Sequence, residues 1–245
     1  MPEKIKRFEK NGMRFYRVIV DDKTIGEFPS ITTVLGETSD KTGLIKWRER
    51  VGEVEAERIS ELSRQRGTMM HRLIELYKQL KGEKSERLEK LKSLAKTDPE
   101  INEVPKEFHQ PGWEFFNKFY YNSSMFFDQV SEVLAAEKFL WSKYGYAGTV
   151  DNVSKMIDNR ILVIDYKNSR KPKLEAWVQD YFIQGSAYFV AIWERLGIKP
   201  DGIEIWIASE TESVPQCFSL TREDIKYYFQ QFMNRLTQFN NKYND

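Results

Sequence analysis

The chain has 245 residues, enough to bury a sizeable core as one large domain or as a core with a smaller lobe. Its 38 Lys and Arg against 37 Asp and Glu leave a formal net charge of +1, so contact with a polyanion has to come from local patches. The single cysteine, Cys217, excludes an internal disulfide framework or a cysteine-rich metal cluster, and no apolar run is long enough to span a bilayer.

Residues 1–7 lack an apolar signal region, and Glu3 and Glu9 do not suit an acid-poor organellar presequence; the expectation is a soluble, intracellular protein with no membrane partner. Residues 14–20 and 24–28, either side of Asp21-Asp22-Lys23, have the pattern of a small hairpin. Residues 29–35 fit a strand exit into a capped helical turn. A helix is expected over residues 43–62, with Leu44, Trp47, Val51, Val54 and Ile59 as its apolar face. Lys46, Arg48, Arg50 and Arg58 then fall on a solvated face laced with salt bridges. A new helix is expected to start near Arg66, with Gly67 and Thr68 as turn and cap and with His71 and Glu75 at i, i+4 on one face. A lone helical histidine is more often packed or exposed than ligating, although a place one turn into a helix suits inward projection of an imidazole ligand.

Residues 81–110 are charged and poor in large apolar side chains, which predicts a short polar helix and a loop in an exposed insertion. His109 lies there and is given no chemical role. Residues 113–127 carry Trp113, Phe116, Phe119 and Tyr120 at helical spacing, a pattern that fits a core helix better than a base-stacking surface. Residues 130–141 predict a strand that carries Glu137, either a further acid of a site or a strand-edge glutamate paired with a lysine.

The most telling stretch is Gly148-Thr149-Val150-Asp151 with the run Ile161 to Lys167 behind it. Residues 150–157 and 160–167 have strand character and Asp158-Asn159 has turn chemistry, which makes a hairpin. Side chains two apart on a strand share a face, so Asp165 and Lys167 emerge together at the end of a buried strand. Two carboxylates, Asp151 and Asp165, beside one lysine form a divalent-metal site with a positive charge next to it, since buried charges have to be paired or metal-bound. Asn168 to Lys173 is a basic loop leaving that place, suited to a phosphate backbone through Arg170, Lys171 and Lys173. A helix is expected over residues 174–196, ended by Gly197, with Gln184 and Tyr188 at i, i+4. Strands over 203–208 and 215–220 and a helix opened by Thr221 complete the chain.

Gly148 to Asp151, then Asp165-Tyr166-Lys167, then Gln184 and Tyr188, in that order, resemble the PD-(D/E)xK nuclease superfamily in its RecB-like branch, and Gly67 with His71 fits the upstream histidine of that branch. Pro29 to Leu35, Leu44 to Arg48 and Arg66 to His71 are similar to the mitochondrial genome maintenance exonucleases and their phage-encoded relatives, which act on single-stranded DNA. The resemblance covers scattered blocks of residues 28–190. It implies an α/β, restriction-endonuclease-like fold, with a central mixed sheet flanked by helices and a helical N-terminal lobe. The implied organisation is one nuclease domain: a hairpin and helical lobe over residues 1–80 carrying His71, a charged insertion over 81–112 and a core over 113–245.

By the same resemblance His71, Asp151, Asp165 and the Tyr166 carbonyl bind Mg²⁺ or Mn²⁺, and Lys167 serves the attacking water and the phosphate. Glu137 is an auxiliary acid, Gln184 and Tyr188 hold the lysine or the DNA, and Arg66 joins the basic loop as a DNA contact. One cysteine excludes the four-cysteine iron–sulfur cluster of some relatives, and the chain has no phosphate-loop motif for a nucleotide, so any helicase is a separate protein, as are a polymerase or a single-strand-binding protein. The expected activity is exonucleolytic hydrolysis of single-stranded DNA in replication, recombination or repair. The alternatives are a flap or junction endonuclease and a non-catalytic DNA-binding protein on the same fold.

Overall fold

The computed structural model describes residues 3–243. Strands β1 (Glu3–Lys10), β2 (Met13–Val20) and β3 (Lys23–Pro29) form an antiparallel sheet in that order. The hairpin of β2 and β3 matches the expectation, whereas β1 was not legible. Ile5 and Phe8 are its only large apolar residues, and its charged run pairs as an edge strand.

Ser30 caps α1 (Ile31–Thr38) by accepting the Thr33 N–H. Helices α2 (Thr42–Val51) and α3 (Glu53–Gln79) replace the helix expected over residues 43–62 and the second start expected near Arg66. The break falls at Gly52, whose φ of 85° favours glycine, and α3 then runs unbroken through Gly67 and Thr68. Gly67 is a contact residue rather than a turn: a Cβ there would lie 2.6 Å from Asn168 Nδ2. The apolar face expected over 43–62 is no core face either, since α2 buries no side chain and Leu44 and Val54 are exposed.

Helices α4 (Lys84–Ala95), α5 (Pro99–Glu103) and α6 (His109–Tyr121) follow. The stretch expected to be an exposed insertion sends Leu91, Ala95, Ile101 and Val104 into the cluster that holds Tyr77, Phe116 and Phe119. So few apolar residues, thinly spread among charges, leave little compositional trace. The aromatics of α6 take the core positions their spacing predicts.

The main sheet has the order β4-β5-β6-β7-β8, with β4 (Val130–Ser142), β5 (Tyr146–Met156), β6 (Ile161–Ser169), β7 (Gly202–Ser209) and β8 (Gln216–Thr221). Strands β6 and β7 pair parallel and the other neighbours antiparallel, so α7 (Gln179–Leu196) is the crossover between the parallel pair. Helix α7 begins at Gln179 rather than at residue 174, after one tight turn at Glu175–Trp177, and ends at the left-handed Gly197. Helix α8 (Arg222–Tyr243) closes the chain. Alternation along β6 divides the core. Leu162, Ile164 and Tyr166 pack with α3 and α6, and Val163 packs with Phe182, Ile203 and Phe232 on the α7 and α8 side. This is the mixed sheet between helical layers that the sequence implied.

Candidate active site

Strand β6 sets the site. Its alternation sends Asp165 and Lys167 toward α7 and turns Tyr166 toward α3. Asp165 is almost fully buried: its Oδ1 accepts from Gln184 Nε2 at 3.1 Å, and its Oδ2 pairs with the Lys167 ammonium. Burial pushes the Asp165 carboxyl up to about 6, against the pull of Lys167. Burial works against the charge of Lys167, but the carboxylates of Asp165 and Asp151 outweigh it and raise its pKa. At neutral pH the pair is therefore ionised. The Lys167 ammonium also stands 5.3 Å from the centroid of the Tyr181 ring.

Tyr166 joins the layers. Its N–H donates to Asp151 Oδ2 at 2.9 Å, and its carbonyl accepts from His71 Nε2 at 2.9 Å. With Nε2 as the donor, the His71 lone pair lies on Nδ1, 3.6 Å from Asp151 Oδ2. His71 comes from the interior of α3, not from its first turn.

Glu137 on β4 completes the group. It stands between the pairs Ala136–Asn152 and Lys138–Val150, and so opposite Asp151. Its φ of 44° is in the left-handed region, a conformation that costs about 1–3 kcal/mol in a non-glycine residue and marks a site held by its surroundings. Ligand atoms of His71, Glu137 and Asp151 lie within 4.8 Å of one another. The Glu137 carboxylate has no hydrogen bond or ion pair among the described residues, so the lysine-paired alternative fails. Burial first, then the nearby Asp151, Glu75 and Glu100 carboxylates, push its pKa up to about 8. Uncompensated carboxylates and an inward imidazole lone pair form a donor set of hard oxygens and one nitrogen that fits a divalent cation. The resemblance implies a ligand role for Asp165 and an auxiliary one for Glu137; in the structure Glu137 clusters with His71 and Asp151, while Asp165 Oδ1 accepts from Gln184 and Oδ2 lies against the Lys167 ammonium.

A cleft of about 670 Å³ runs over these groups and is lined by His71, Glu137, Asp151, Lys167, Gln184 and Tyr188 together. Gly148 is needed here, because a Cβ would lie 2.9 Å from both Cε1 and Oη of Tyr188. The basic residues expected to touch DNA fare differently. Arg66 is buried, with Nε donating to Asn168 Oδ1 at 2.9 Å, Nη1 paired with Glu210 and the guanidinium 4.7 Å from the Phe115 ring centroid. Its role is structural, which corrects the expectation. Arg170 and Lys171 are exposed and Lys173 is half-buried, on a loop outside the cleft lining. His109 Nε2 donates to the Val104 carbonyl at 2.8 Å, away from the site.

Several residues escaped the sequence reading. Lys78 lies seven residues after His71 on α3, with its amino group bonded to Tyr166 Oη and 4.9 Å from the ring centroid. Burial pushes its pKa down to about 7, while Asp151 and Glu137 oppose the fall. The i, i+4, i+7 spacing of His71, Glu75 and Lys78 was the available signal. Arg72 holds Glu75 at 2.6 Å, Asp98 at 2.7 Å and Glu100 at 3.1 Å, which ties the α4–α5 region to the cleft. Arg7, Arg14 and Phe139 line the cleft from the N-terminal sheet and β4.

The sequence model of the PD-(D/E)XK nuclease superfamily matches residues 45–243. No curated protein matches the chain. Among solved structures, a crystal structure of a protein from Eubacterium rectale, described as a candidate exonuclease, superposes with a TM-score of 0.38 at 15% identity. That match covers 60% of this chain and 59% of the other, so the chain spans under two thirds of that protein, and the likeness carries no functional argument.

Proposed function

This chain belongs to the PD-(D/E)XK nuclease superfamily, and on that premise we propose that it is a divalent-metal-dependent exonuclease acting on single-stranded DNA, in replication, recombination or repair. The observation that carries the proposal is the convergence of His71 from α3, Glu137 from β4 and Asp151 from β5 beside Lys167 of β6 in one cleft. His71, Glu137, Asp151 and the Tyr166 carbonyl would hold Mg²⁺ or Mn²⁺. A bound cation of this kind supplies Lewis acidity that activates water and draws charge from the phosphate.

The chain's own residues do the rest. The Tyr166 N–H fixes Asp151, and the Tyr166 carbonyl fixes the His71 ring so that Nδ1 faces the acids. Gln184 anchors Asp165, which in turn holds the Lys167 ammonium at the cleft. There Lys167 offers a fixed positive charge to a phosphate on which negative charge builds up. Tyr188 closes the floor against Gly148. A helicase, polymerase or single-strand-binding protein would deliver the strand.

The test is a cleavage assay on end-labelled linear single-stranded DNA and its circular counterpart, with Mg²⁺, Mn²⁺ or EDTA. Metal-dependent loss of the linear strand with the circle spared is the expected result. Cutting of the circle would replace the exonuclease with an endonuclease of flap or junction type. Binding without cutting under every metal would leave a non-catalytic DNA-binding protein.

A further inference from the structure

We propose that the N-terminal three-stranded sheet and Phe139 form a wall of the cleft that grips an unpaired strand, with Arg7 and Arg14 on its phosphates and the Phe139 ring under a base. The proposal rests on the nuclease reading and adds a strand-holding surface to it. The first observation is how the small sheet docks. Arg7 stands opposite Tyr16, and Tyr16 opposite Phe28, so these residues share one face, which Arg14 joins two residues before Tyr16. The apolar part of that face is buried on the main sheet: Tyr16 and Val18 cluster with Trp141 and Ala147, and Phe28 stacks on Trp141 with 5.9 Å between centroids. The two arginines extend from the same face into the cleft.

They arrive there without partners. Arg72, the other arginine of the cleft, is held by Glu75, Asp98 and Glu100. Among the described residues Arg7 and Arg14 make no side-chain hydrogen bond or ion pair. Glu75, Glu100, Glu137 and Asp151 give the cleft its acids, so the sheet supplies cations that a polyanionic strand meets unpaired.

Phe139 supplies the second observation. It is 45% exposed in the cleft, and Tyr16 supports it edge-on from behind at 5.6 Å. Phe139 pairs with Thr149, two residues along the ladder from Glu137 and Asp151. Two residues of strand span about 7 Å, comparable to the separation of successive phosphates in an extended single strand. A base stacked on Phe139 therefore puts a neighbouring phosphate over the acids. In a duplex that base is already stacked and paired, so the platform selects the unpaired strand.

The experiment measures binding of a labelled oligo-thymidine and of a duplex of equal length in EDTA by fluorescence anisotropy, with cleavage of the single strand in Mn²⁺ followed separately. Phe139→Ala is expected to weaken single-strand binding about tenfold or more and to leave the duplex unchanged, while Phe139→Tyr and Phe139→Trp retain wild-type affinity. Arg7→Ala with Arg14→Ala is expected to weaken both substrates and to reduce the slope of log affinity against log salt by about 0.7 per arginine for the single strand. Unchanged single-strand binding in Phe139→Ala, or failure of the wild-type protein to bind oligo-thymidine, overturns the proposal. Wild-type cleavage alongside unaltered variants would remove the wall and spare the nuclease. Binding that follows the predicted pattern without cleavage under any metal would keep the wall and remove the nuclease.

Discussion

Glu137 is mostly buried, faces Asp151 and has a carboxyl pushed up to about 8, so at neutral pH it is largely protonated until a cation displaces the proton. Apparent metal affinity should then rise with pH. For one displaced proton the dissociation constant scales as one plus ten to the power of pKa minus pH. With the value near 8 this weakens binding about 100-fold at pH 6 and about 10-fold at pH 7 relative to pH 9. Titration calorimetry with Mn²⁺, in two buffers of different ionisation heat, gives both the affinity and the protons released. About one proton per metal near pH 7 is expected. Lys78, at about 7, titrates in the same window, so Glu137→Gln is the control: it should flatten the profile above pH 7. A wild-type affinity constant from pH 6 to 9, or an equal slope in Glu137→Gln, would refute the reasoning. The sign on stability is opposite. An acid whose folded pKa exceeds its ordinary 4.5 stabilises the fold below that value and loses the contribution as pH climbs through about 8. In EDTA the melting temperature should therefore fall as pH rises from about 4.5 to about 7, above which the depressed Lys78 amine contributes the opposite slope, and added Mn²⁺ should recover it.

Lys167→Met should reduce cleavage by about 10²–10³-fold while DNA binding persists; cleavage at the wild-type rate would remove Lys167 from the chemistry. The same variant strands a buried carboxylate, which costs about 3–5 kcal/mol at pH 8 in urea unfolding, and less at pH 5, where Asp165 takes up a proton. Gly148→Ala forces a methyl group against the Tyr188 ring and should cost about 1–3 kcal/mol with loss of activity, whereas a neutral effect would mean that Tyr188 moves freely. Arg66→Met should destabilise by about 1–3 kcal/mol yet leave the salt slope of DNA binding intact, and a shallower slope would place Arg66 on a phosphate.

The sequence disclosed those parts of the site whose geometry is local. Asp165 and Lys167 share a face because a strand alternates, and Gln184 and Tyr188 because a helix turns; neither fact needs the rest of the molecule. What escaped depends on distant partners. Gly67 and Thr68 carry the local chemistry of a helix start, yet Asn168 on β6 is what demands a glycine there, inside an unbroken α3. Glu137 could be an acid of the site or a paired edge residue until its neighbours across the sheet are known. Arg66 and Arg7 look alike in sequence; packing buries the first against Phe115 and Glu210 and leaves the second unpaired in the cleft. The apolar residues of α4 and α5 were too sparse to outweigh their charged setting, although Arg72 and Asp98 fasten that region to α3.

The residue between the acid and the lysine is a spacer in the motif, but here it determines the geometry of the site. The backbone of Tyr166 holds Asp151 through its N–H and His71 through its carbonyl, so one peptide step places residues from β5 and α3 relative to β6. Its ring meets the edge of His71 with 6.0 Å between centroids and packs on Phe119 and Trp206, and its hydroxyl takes the Lys78 amine. On the opposite face of the same strand, Asp165 and Lys167 are set by Gln184 from α7. His71 and Asp151 are thus referenced to the backbone of Tyr166, and Lys167 to Asp165 and the α7 layer, with β6 connecting the two. The spacing of Asp165 and Lys167 is set by the pleat of β6, and Asp151 is joined to that strand by the Tyr166 N–H. That arrangement leaves the cleft walls, the small N-terminal sheet among them, free to differ without disturbing the spacing on which the chemistry depends.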